Sequence, residues 1–405
     1  MISGSSDYKY ALIFTLSMPW ENYHREKFIR SIAEEIENEG GLVICVEPTI
    51  LSVFNVVKYP ERIFSWMKGK NRFRKDGSNI YVTHAKTFEH ILSSSRFGFL
   101  SFINSKLLKR QIRKILKKVN GEVVKFVWVL HRPELYFLIG STGEAGAVYD
   151  CCDDHILTSD MNQKKVSGNR EREKKLSQKC DFVITTSNKL LSRNKGYNPN
   201  TYLVENSYNF NRAETDETAE AMLKEIKGPI AGYIGIIRGW IDFELLEYVL
   251  QQNAGITFVF VGEIYKDSVQ KMRELESKYP NLLLTGRVNY NALPGLLKYF
   301  KVGIIPFKNN EFMESVNPNK FYEMLSCAVP IVTTNIGDLK STYGDICKVA
   351  DTKEEFSSFV NEIINISEAE LKQLKSKMFE ISSISTWQSK SKIFHQLLNE
   401  HILNK

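Results

Sequence analysis

A short segment in the second half of the chain carries residue types that can bind a charged ligand with hydroxyl groups. Residues 317–334 read NPNKFYEMLSCAVPIVTT and place Lys320 and Glu323 three positions apart. The Asn-Pro pair is typical of a helix start, and apolar residues recur after it at helical spacing. A lysine near a helix N-terminus can face a phosphate, while the glutamate can accept hydrogen bonds from a ribose diol. An ordinary surface pair of Lys and Glu would have the same spacing.

A second segment offers side chains for proton transfer. The strand-like residues 147–149 lead into the sequence DCCDDH, which contains Asp153 and Asp154. Two adjacent carboxylates can serve as a general base when burial or mutual repulsion raises a pKa. His131, directly after the predicted strand KFVWVL, is a third candidate. Alternatively, the aspartates form a turn and cap a helix, which is the commoner role of Asp in loops.

A glycine turn in the second half has the composition of a phosphate-binding loop. A strand-like run leads to Gly235, and Arg238 follows three residues later. Small residues let backbone N–H groups approach phosphate oxygens, and an arginine can bind a diphosphate through two hydrogen bonds. This turn therefore predicts a contact with a diphosphate.

The elements that must hold these residues alternate between strand-like and helix-like runs. Residues 10–16 and 42–48 flank a helical pattern at 25–38, which predicts the start of a doubly wound parallel sheet. This unit lacks GxGxxG, so a dinucleotide site is not supported. Four residues follow the first strand, where such sheets bind ligands: Trp20, Tyr23, His24 and Arg25. They either line a substrate site or are ordinary loop and cap residues.

Composition limits the classes of protein. Apolar residues make up 43% and charged residues 25% of the chain, as in soluble globular proteins. No run approaches the roughly 18 to 20 apolar residues that span a bilayer, and no secretory signal is evident. The six cysteines lack CxxC spacing and a nearby histidine cluster, so neither a metal site nor disulfides are expected. We therefore expect a cytoplasmic protein without a bound metal.

Charge is distributed unevenly along the chain. Residues 1–205 carry ten more Lys and Arg than Asp and Glu, whereas residues 206–405 carry three fewer. Residues 106–118, KLLKRQIRKILKK, have the pattern of a helix with one apolar face surrounded by basic residues. Such a helix can lie on an anionic membrane, or it can pack on its own domain with a solvated basic face. We expect an anionic membrane surface as partner, on the inner face of the membrane, and no nucleic acid.

The segment 317–334 resembles the nucleotide-sugar signature of GT-B glycosyltransferases, especially the glycosyltransferase 4-like and teichuronic-acid-type enzymes. The sequence VYDCCDDH is similar to their YD..DD segment. The resemblance implies an α/β GT-B fold, in which two Rossmann-like domains face one another across a cleft. The N-terminal, acceptor-binding domain would be residues 1–205, completed by a C-terminal helix at 386–405. The nucleotide-sugar-binding domain would be residues 206–385.

The resemblance also implies roles for single residues. Eight would bind the donor: Gly235, Arg238, Gly262, Arg287, Val288, Asn317, Lys320 and Glu323. Three would lie on the acceptor side: Trp20, Tyr23 and Arg25. The catalytic candidates are Asp153, Asp154 and His131, and His131 can instead hold the donor sugar or its phosphate. Many relatives carry a second Glu eight residues before Glu323, but this chain has Ser315 there and Glu314 beside it.

The function implied by the resemblance is sugar transfer. The donor would be a nucleotide-diphosphate sugar, of the UDP type, and the acceptor a glycan or a lipid-linked molecule of bacterial surface polysaccharide synthesis. No cofactor and no essential metal are expected. A nucleotide-sugar epimerase of the same fold and a non-catalytic GT-B scaffold subunit remain alternatives, and Ser315 is the main support for the scaffold.

Overall fold

The computed structural model describes residues 8–48, 73–85, 87, 98–157, 163–208 and 217–405. The chain divides into two compact units. Unit 1 comprises Met1–Val204 and Gln388–Lys405, and unit 2 comprises Glu205–Trp387. The first part of the polar run that we expected to separate the domains, residues 209–216, lies outside the described residues.

Unit 1 is built on a sheet that is parallel except at one edge. Its strands are β1 (Tyr10–Thr15), β2 (Gly41–Glu47), β3 (Arg74–Lys75), β4 (Ile80–His84), β5 (Lys125–Leu130), β6 (Gly146–Cys151), β7 (Phe182–Thr185) and β8 (Thr201–Leu203). Their order is β3-β4-β2-β1-β5-β6-β7-β8, and the short edge strand β3 is antiparallel. Strands β1 and β2 are buried along their whole length, as expected where helices cover both faces of a sheet.

Among the described residues, four α-helices connect the strands of unit 1. They are α1 (Glu26–Glu37), α2 (Gly98–Asn120), α3 (Gln163–Lys179) and α4 (Asn188–Lys195). The very polar sequence of residues 163–179 predicts an exposed helix or a mobile loop. It is a helix, but Glu173 and Leu176 on it are buried. Its polarity therefore belongs to one face, and the other face packs on the unit.

Unit 2 contains a second sheet, which is parallel throughout. Its strands are β9 (Ile230–Ile234), β10 (Thr257–Val261), β11 (Leu282–Gly286), β12 (Val302–Ile305), β13 (Ile331–Thr334) and β14 (Cys347–Ala350). The order β11-β10-β9-β12-β13-β14 is that of a doubly wound Rossmann sheet. The chain reverses its winding between β9 and β12 here, and between β1 and β5 in unit 1. Ligands bind at the carboxyl ends of strands at such switch points.

The helices of unit 2 are α5 (Glu217–Lys224), α6 (Phe243–Gln252), α7 (Val269–Lys278), α8 (Leu293–Leu297), α9 (Asn319–Ser326), α10 (Leu339–Tyr343), α11 (Lys353–Ile364) and α12 (Glu368–Ile384). The sequence predicts helical structure over residues 354–374, and the structure divides this range between α11 and α12. Ser367 and Glu370 form a capping box that starts the second helix, because each side chain bonds the other's backbone N–H.

The last helix returns to unit 1. Helix α13 (Trp387–Leu398) continues into a π-helical turn at Asn399–Leu403. Phe394 packs on Phe28 and Phe182, with ring centroids 6.0 Å apart in both cases. The Tyr202 hydroxyl lies 2.8 Å from Nε2 of His401. The C-terminal helix is therefore part of the core of unit 1.

Candidate functional site

Three glycines line the carboxyl edge of the unit 2 sheet. Gly235, Gly262 and Gly286 stand at the ends of the neighbouring strands β9, β10 and β11, with φ of 110°, 151° and 74°. A Cβ on Gly262 would lie 2.0 Å from the carbonyl oxygen of Gly235. Only glycine allows two backbones to approach this closely in these conformations. The edge therefore presents backbone rather than side chains to a ligand.

Helix α9 brings Lys320 to this glycine edge. Its Nζ lies 4.4 Å from the ring centroid of Phe307, which follows β12. It lies 5.3 Å from the ring centroid of Tyr233, which is part of β9. A Cβ on Gly235 would be 3.5 Å from Cε of Lys320. Burial disfavours the ammonium and lowers the pKa of Lys320 to about 8, although Glu323 acts in the opposite direction. The lysine thus lies at the switch point, partly withdrawn from water.

Glu323 lies one helical turn after Lys320 and is also partly buried. Burial raises the pKa of its carboxyl, whereas Lys320 and a hydrogen bond with the Tyr290 side chain lower it. The pair is therefore not the solvated surface pair that the spacing alone allowed. Tyr290, which the sequence analysis missed, lies 33 positions earlier in the chain, and no local pattern indicates its contact.

Hydrogen bonds from Asn206, near the start of unit 2, fix the segment that leads into α9. Backbone N–H of Asn206 donates to Oδ1 of Asn317 at 3.1 Å, and Nδ2 of Asn206 donates to the Asn317 carbonyl at 2.7 Å. Nδ2 of Asn317 donates to the Tyr322 hydroxyl at 2.9 Å. Asn317 is buried and fully engaged, so this geometry favours a positioning role. Its direct contact with a donor stays a prediction.

The other predicted donor residues lie on the same edge of unit 2. Arg238 is exposed, and its guanidinium lies 4.5 Å from the ring centroid of Tyr265 while Nε donates to Asp267 at 3.3 Å. Arg287 is exposed and Val288 is partly buried, directly after Gly286. The structure places these residues around the glycines but does not test their contacts with a ligand.

Ser315 occupies the position at which relatives carry a second acid. It is buried, and its Oγ donates to the carbonyl of Phe312 at 2.7 Å. Glu314 is exposed in the same 3₁₀ turn, Met313–Ser315. A hydroxyl that bonds its own turn therefore replaces the carboxylate.

In unit 1 the two adjacent aspartates have opposite environments. Asp154 is buried, and its Oδ1 accepts hydrogen bonds from the N–H groups of Ile156 and Leu157 at 2.9 and 3.2 Å. Its Oδ2 accepts from Arg193 at 2.6 Å. The side chain of Asp153 is 49% exposed. Asp154 therefore resembles the structural alternative, and Asp153 is the member of the pair that a substrate can reach.

The environment of Asp153 makes its carboxyl less acidic than that of an ordinary aspartate. Desolvation by the surrounding protein raises the pKa of this carboxyl to about 6, although Arg25 and Arg132 act against the shift. A carboxylate with a pKa near 6 is a stronger base than an ordinary aspartate and is still ionised at neutral pH. Asp153 thus has both the exposure and the basicity that a general base requires.

A buried ionic network holds the loop that carries the aspartates. Arg193 on α4 donates through Nε to Glu173 on α3 at 2.7 Å, and it also bonds Asp154. The Tyr149 hydroxyl on β6 donates to Glu173 at 3.2 Å. The sequence analysis missed Arg193 and Glu173, because α3 was interpreted as a solvated helix.

His131 follows β5 and is only 2% exposed. Within the part of the chain that the structure describes, neither ring nitrogen has a hydrogen-bond partner. Its ring centroid lies 5.2 Å from that of Tyr23. Burial holds its pKa well below the usual range, so the ring is neutral. Because an unpaired buried polar group is costly, these nitrogens are candidates for hydrogen bonds to a ligand.

The predicted acceptor-side residues differ in accessibility. Arg25 is buried and binds Asp150 through Nε and Nη2, at 3.1 and 2.9 Å. Trp20 is buried, and its Nε1 donates to Asp76 at 2.7 Å. These contacts favour the alternative that both residues are structural. Tyr23 is buried between the rings of His24 and His131. Their contact with an acceptor stays a prediction.

One group of side chains among the described residues could share a metal ion: His24, Cys152 and Asp153. Nε2 of His24 lies 3.6 Å from Sγ of Cys152 and 3.9 Å from Oδ2 of Asp153. Burial lowers the pKa of His24 to about 4, so its imidazole is neutral. Cysteine spacing did not reveal this group, because 128 positions separate the histidine and the cysteine.

Helix α2 has two distinct faces. Leu108, Ile112 and Leu116 are buried in the core of unit 1, as the core-packing alternative predicts for the apolar face. The opposite face forms a recess of about 440 Å³ whose lining is nearly all basic: Lys106, Lys109, Arg110, Arg113, Lys114, Lys117 and Val123. Phe99 and Phe102 are exposed near its first turn. No described helix combines the length and hydrophobicity of a membrane span.

Parts of this chain are similar in sequence to known proteins. Residues 243–367 match the family model "Glycosyl transferases group 1". TuaH of Bacillus subtilis (strain 168), a glycosyltransferase named for teichuronic acid biosynthesis, is 24% identical over 203 residues. That alignment covers 47% of this chain and 50% of TuaH, so the chain aligns with about half the length of this relative.

Solved structures show the same fold over nearly the whole chain. Sucrose-phosphate synthase from Thermosynechococcus elongatus has a TM-score of 0.72 at 12% identity, covering 97% of this chain and 98% of its own. Anabaena Alr3699/HepE, in complex with UDP and glucose, has a TM-score of 0.65 at 12% identity, covering 96% and 99%.

These findings confirm the predicted α/β architecture of two Rossmann-like domains and the resemblance that the motifs carried. The chain therefore has the GT-B fold, and its residues 243–367 are similar to the glycosyl transferases group 1 family.

Proposed function

We propose that the protein is a glycosyltransferase that moves a sugar from a UDP-sugar to a hydroxyl of a glycan or lipid-linked acceptor. One observation carries this proposal: α9 places the desolvated pair Lys320 and Glu323 at a glycine-lined switch point of unit 2. A lysine beside exposed backbone suits a diphosphate, and a carboxylate one turn away suits a ribose diol. The solved complex of HepE with UDP and glucose supports this donor class.

Unit 2 would stabilise the leaving group. Cleavage of the sugar–phosphate bond transfers negative charge to the nucleoside diphosphate. Lys320, the N-terminus of α9 and Arg238 are positive groups that can offset this charge without moving during the reaction. We propose that they replace the metal ion that other transferases use at this step, and that no cofactor takes part. Turnover that persists with a metal chelator present would agree with this role.

Unit 1 would supply the base. Asp153 is exposed, and its carboxyl pKa is raised to about 6, so it can take the proton of an acceptor hydroxyl as that oxygen attacks the sugar. Asp154 and Arg193 would hold the loop. His131 would bind a hydroxyl of the sugar through one of its unpaired ring nitrogens.

The acceptor would belong to bacterial surface polysaccharide synthesis. The name of TuaH supports this class, because teichuronic acid is the product after which that protein is named. We further propose that the basic face of α2 binds the anionic inner surface of the membrane. The recess of basic side chains and the exposed Phe99 and Phe102 support this surface, since cationic and aromatic residues together favour a headgroup layer.

A donor screen followed by product analysis tests the function. UDP-, GDP-, dTDP- and CMP-sugars are compared by thermal shift, because a ligand at 100 times its Kd stabilises the protein by about 2.7 kcal/mol. The best donor is then incubated with candidate acceptors. Free nucleotide and a glycosylated acceptor are expected. An isomerised sugar nucleotide would indicate an epimerase. If the protein neither binds nor turns over any of the donors, it is a scaffold.

A further inference from the structure

His24, Cys152 and Asp153 bring three different ligand atoms together in unit 1. Nε2 of His24 lies 3.6 Å from Sγ of Cys152 and 3.9 Å from Oδ2 of Asp153, and all three atoms lie within 4.8 Å of one another. The thiol is buried, whereas the imidazole and the carboxylate are 35% and 49% exposed. An ion could therefore enter from solvent and reach a sulfur on the protein side.

The separations are close to those of a tetrahedral zinc site. With a Zn–S bond of about 2.3 Å and a Zn–N bond of about 2.0–2.1 Å, sulfur and nitrogen ligands lie about 3.6 Å apart. The observed distance between Sγ and Nε2 is 3.6 Å. Nitrogen and oxygen ligands would lie about 3.4 Å apart, and sulfur and oxygen ligands about 3.6 Å apart. The observed distance between Nε2 and Oδ2 is 3.9 Å, and Sγ and Oδ2 lie within 4.8 Å of one another, so the carboxylate of Asp153 must move by up to about 1 Å. Its exposure leaves room for that rotation.

Neighbouring contacts hold two of the ligands in place. The ring of Tyr23 lies 4.9 Å from that of His24 and restricts the imidazole. The Thr186 hydroxyl donates to the carbonyl of Cys152 at 3.0 Å, which fixes the segment after β6. The nearby positive charge of Arg25 is offset by its two hydrogen bonds to Asp150. A cation at the cluster would therefore meet the negative charge of Asp153 without an uncompensated arginine.

We propose that His24, Cys152 and Asp153 form a three-ligand Zn²⁺ site with an open fourth position. Sulfur and imidazole ligands select soft or borderline ions such as Zn²⁺ over Mg²⁺ or Ca²⁺. Binding forms one bond each from zinc to Sγ, Nε2 and Oδ2 and releases the thiol proton to solvent. A water molecule would fill the fourth position.

Zinc at this site would inhibit sugar transfer, a consequence that rests on the proposed function. Zinc would bind the Asp153 carboxylate that we propose as the base, so Asp153 could no longer accept a proton. The ion would thus act as a reversible inhibitor rather than as a catalytic metal. Activity in the presence of a chelator should be at least as high as in its absence.

The binding test uses cobalt, whose spectrum reports its ligands without any sugar donor. The full chain is stripped of metal with a chelator and titrated with Co²⁺. One equivalent should give a thiolate-to-cobalt charge-transfer band in the near ultraviolet and the visible bands of four-coordinate cobalt, and Zn²⁺ should displace both. Cys152→Ser should abolish the charge-transfer band, and His24→Gln should weaken binding about 100-fold or more. The matched control Cys327→Ser, in unit 2, should keep the band.

Each outcome decides a separate point. Absence of the charge-transfer band in the wild type, or its survival in a folded Cys152→Ser variant, overturns the site. Thermal melting establishes that the variants fold, and His24→Gln decides the question if Cys152→Ser does not. If the band appears but Zn²⁺ leaves turnover unchanged, the site stands and the inhibitory role is wrong. A protein that binds cobalt as expected but turns over no donor would refute the proposed function and leave the site intact.

Discussion

The two units have the same sheet winding but present different chemistry at the equivalent edge. In unit 2, the neighbouring strands β9, β10 and β11 end at glycines, and this edge presents backbone together with the partly buried ammonium of Lys320. In unit 1, the strands β5 and β6 end in side chains, among them His131 and Asp153, both with shifted pKa values. Bare backbone suits a diphosphate, and titratable side chains suit a proton. Under the proposed function, one topology would therefore serve two tasks, according to the residues that follow its strands.

The largest expected effect is on the affinity for anionic vesicles, because unit 1 is more basic than unit 2. Reversing four basic residues of the α2 face, Lys109, Arg110, Arg113 and Lys117, should release the protein from anionic vesicles. Each basic residue near such a surface contributes roughly 1 kcal/mol, so affinity should fall about 10³-fold or more. Co-sedimentation with vesicles at low salt measures it.

The matched control reverses four exposed lysines of unit 2: Lys266, Lys372, Lys375 and Lys377. This variant should sediment with the vesicles as the wild type does. Equal losses in both variants would show that only net charge matters. A wild type that stays in solution would mean that the basic face of α2 is simply solvated.

The next largest effect is a loss of turnover that should differ between substitutions of Asp153 and Asp154. Asp153→Asn should reduce turnover about 10²-fold or more, because it removes the base but keeps the size of the side chain. The melting temperature and the donor affinity should not change. Measurements are made with a chelator present, so that the result does not depend on metal binding.

Asp154→Asn gives the contrasting result. It breaks the buried pair with Arg193, and such a loss costs on the order of 3 kcal/mol of stability. We expect a lower melting temperature for this variant and a smaller loss of turnover per folded molecule. If Asp153→Asn keeps wild-type turnover, the base lies elsewhere, and His131 becomes the leading candidate.

In unit 2, Glu323→Ala should weaken the binding of UDP about 10-fold, through the loss of charge-assisted hydrogen bonds to the ribose. Calorimetric titration with UDP measures the change. The control is Glu314→Ala, which removes an exposed acid from the turn that precedes α9. Unchanged affinity in Glu323→Ala, or an equal loss in the control, would contradict the assignment of the ribose contact.

The smallest expected effect is a pH dependence of the affinity for UDP, which arises from Lys320 in unit 2. The pKa of Lys320 is lowered to about 8, so the side chain is charged at pH 7 and largely neutral at pH 9. A charged ammonium attracts the diphosphate, and affinity for UDP should therefore fall several-fold as pH rises through this range. Lys320→Arg stays charged and should bind with nearly constant affinity. If the affinity of the wild type for UDP does not change with pH, Lys320 does not contact the phosphates.

Local patterns were sufficient to predict much of the fold. The runs KFVWVL, TFVFV and IVTT consist mainly of β-branched and aromatic residues and predict strands, and β5, β10 and β13 have these bounds. The start of α9 follows from Asn317-Pro318, and the desolvated pair on that helix is in its expected place. These features depend on residues within a few positions of one another, which is the range over which periodicity and capping operate.

Features that depend on distant residues could not be predicted in this way. Adjacent aspartates differ because Arg193, 39 positions away, binds only one of them. The sequence YNALPGLLKY at residues 290–299 predicts one helix, whereas the structure has a 3₁₀ turn at Tyr290–Ala292 followed by α8. The ligand cluster of His24 and Cys152 also arises only from tertiary packing. Sequence spacing contains no information on these approaches.

The return of α13 to unit 1 has a consequence for how the protein is made. Phe394 contacts Phe28 and Phe182, so a ribosome must synthesise all of unit 2 before the core of unit 1 can close around these rings. Unit 2, by contrast, is one continuous segment and can fold as soon as it emerges. Until α13 has been synthesised, the rings of Phe28 and Phe182 in unit 1 therefore stay without the contact that Phe394 makes. That interval is when a chaperone would bind, or when two nascent chains on one messenger would associate.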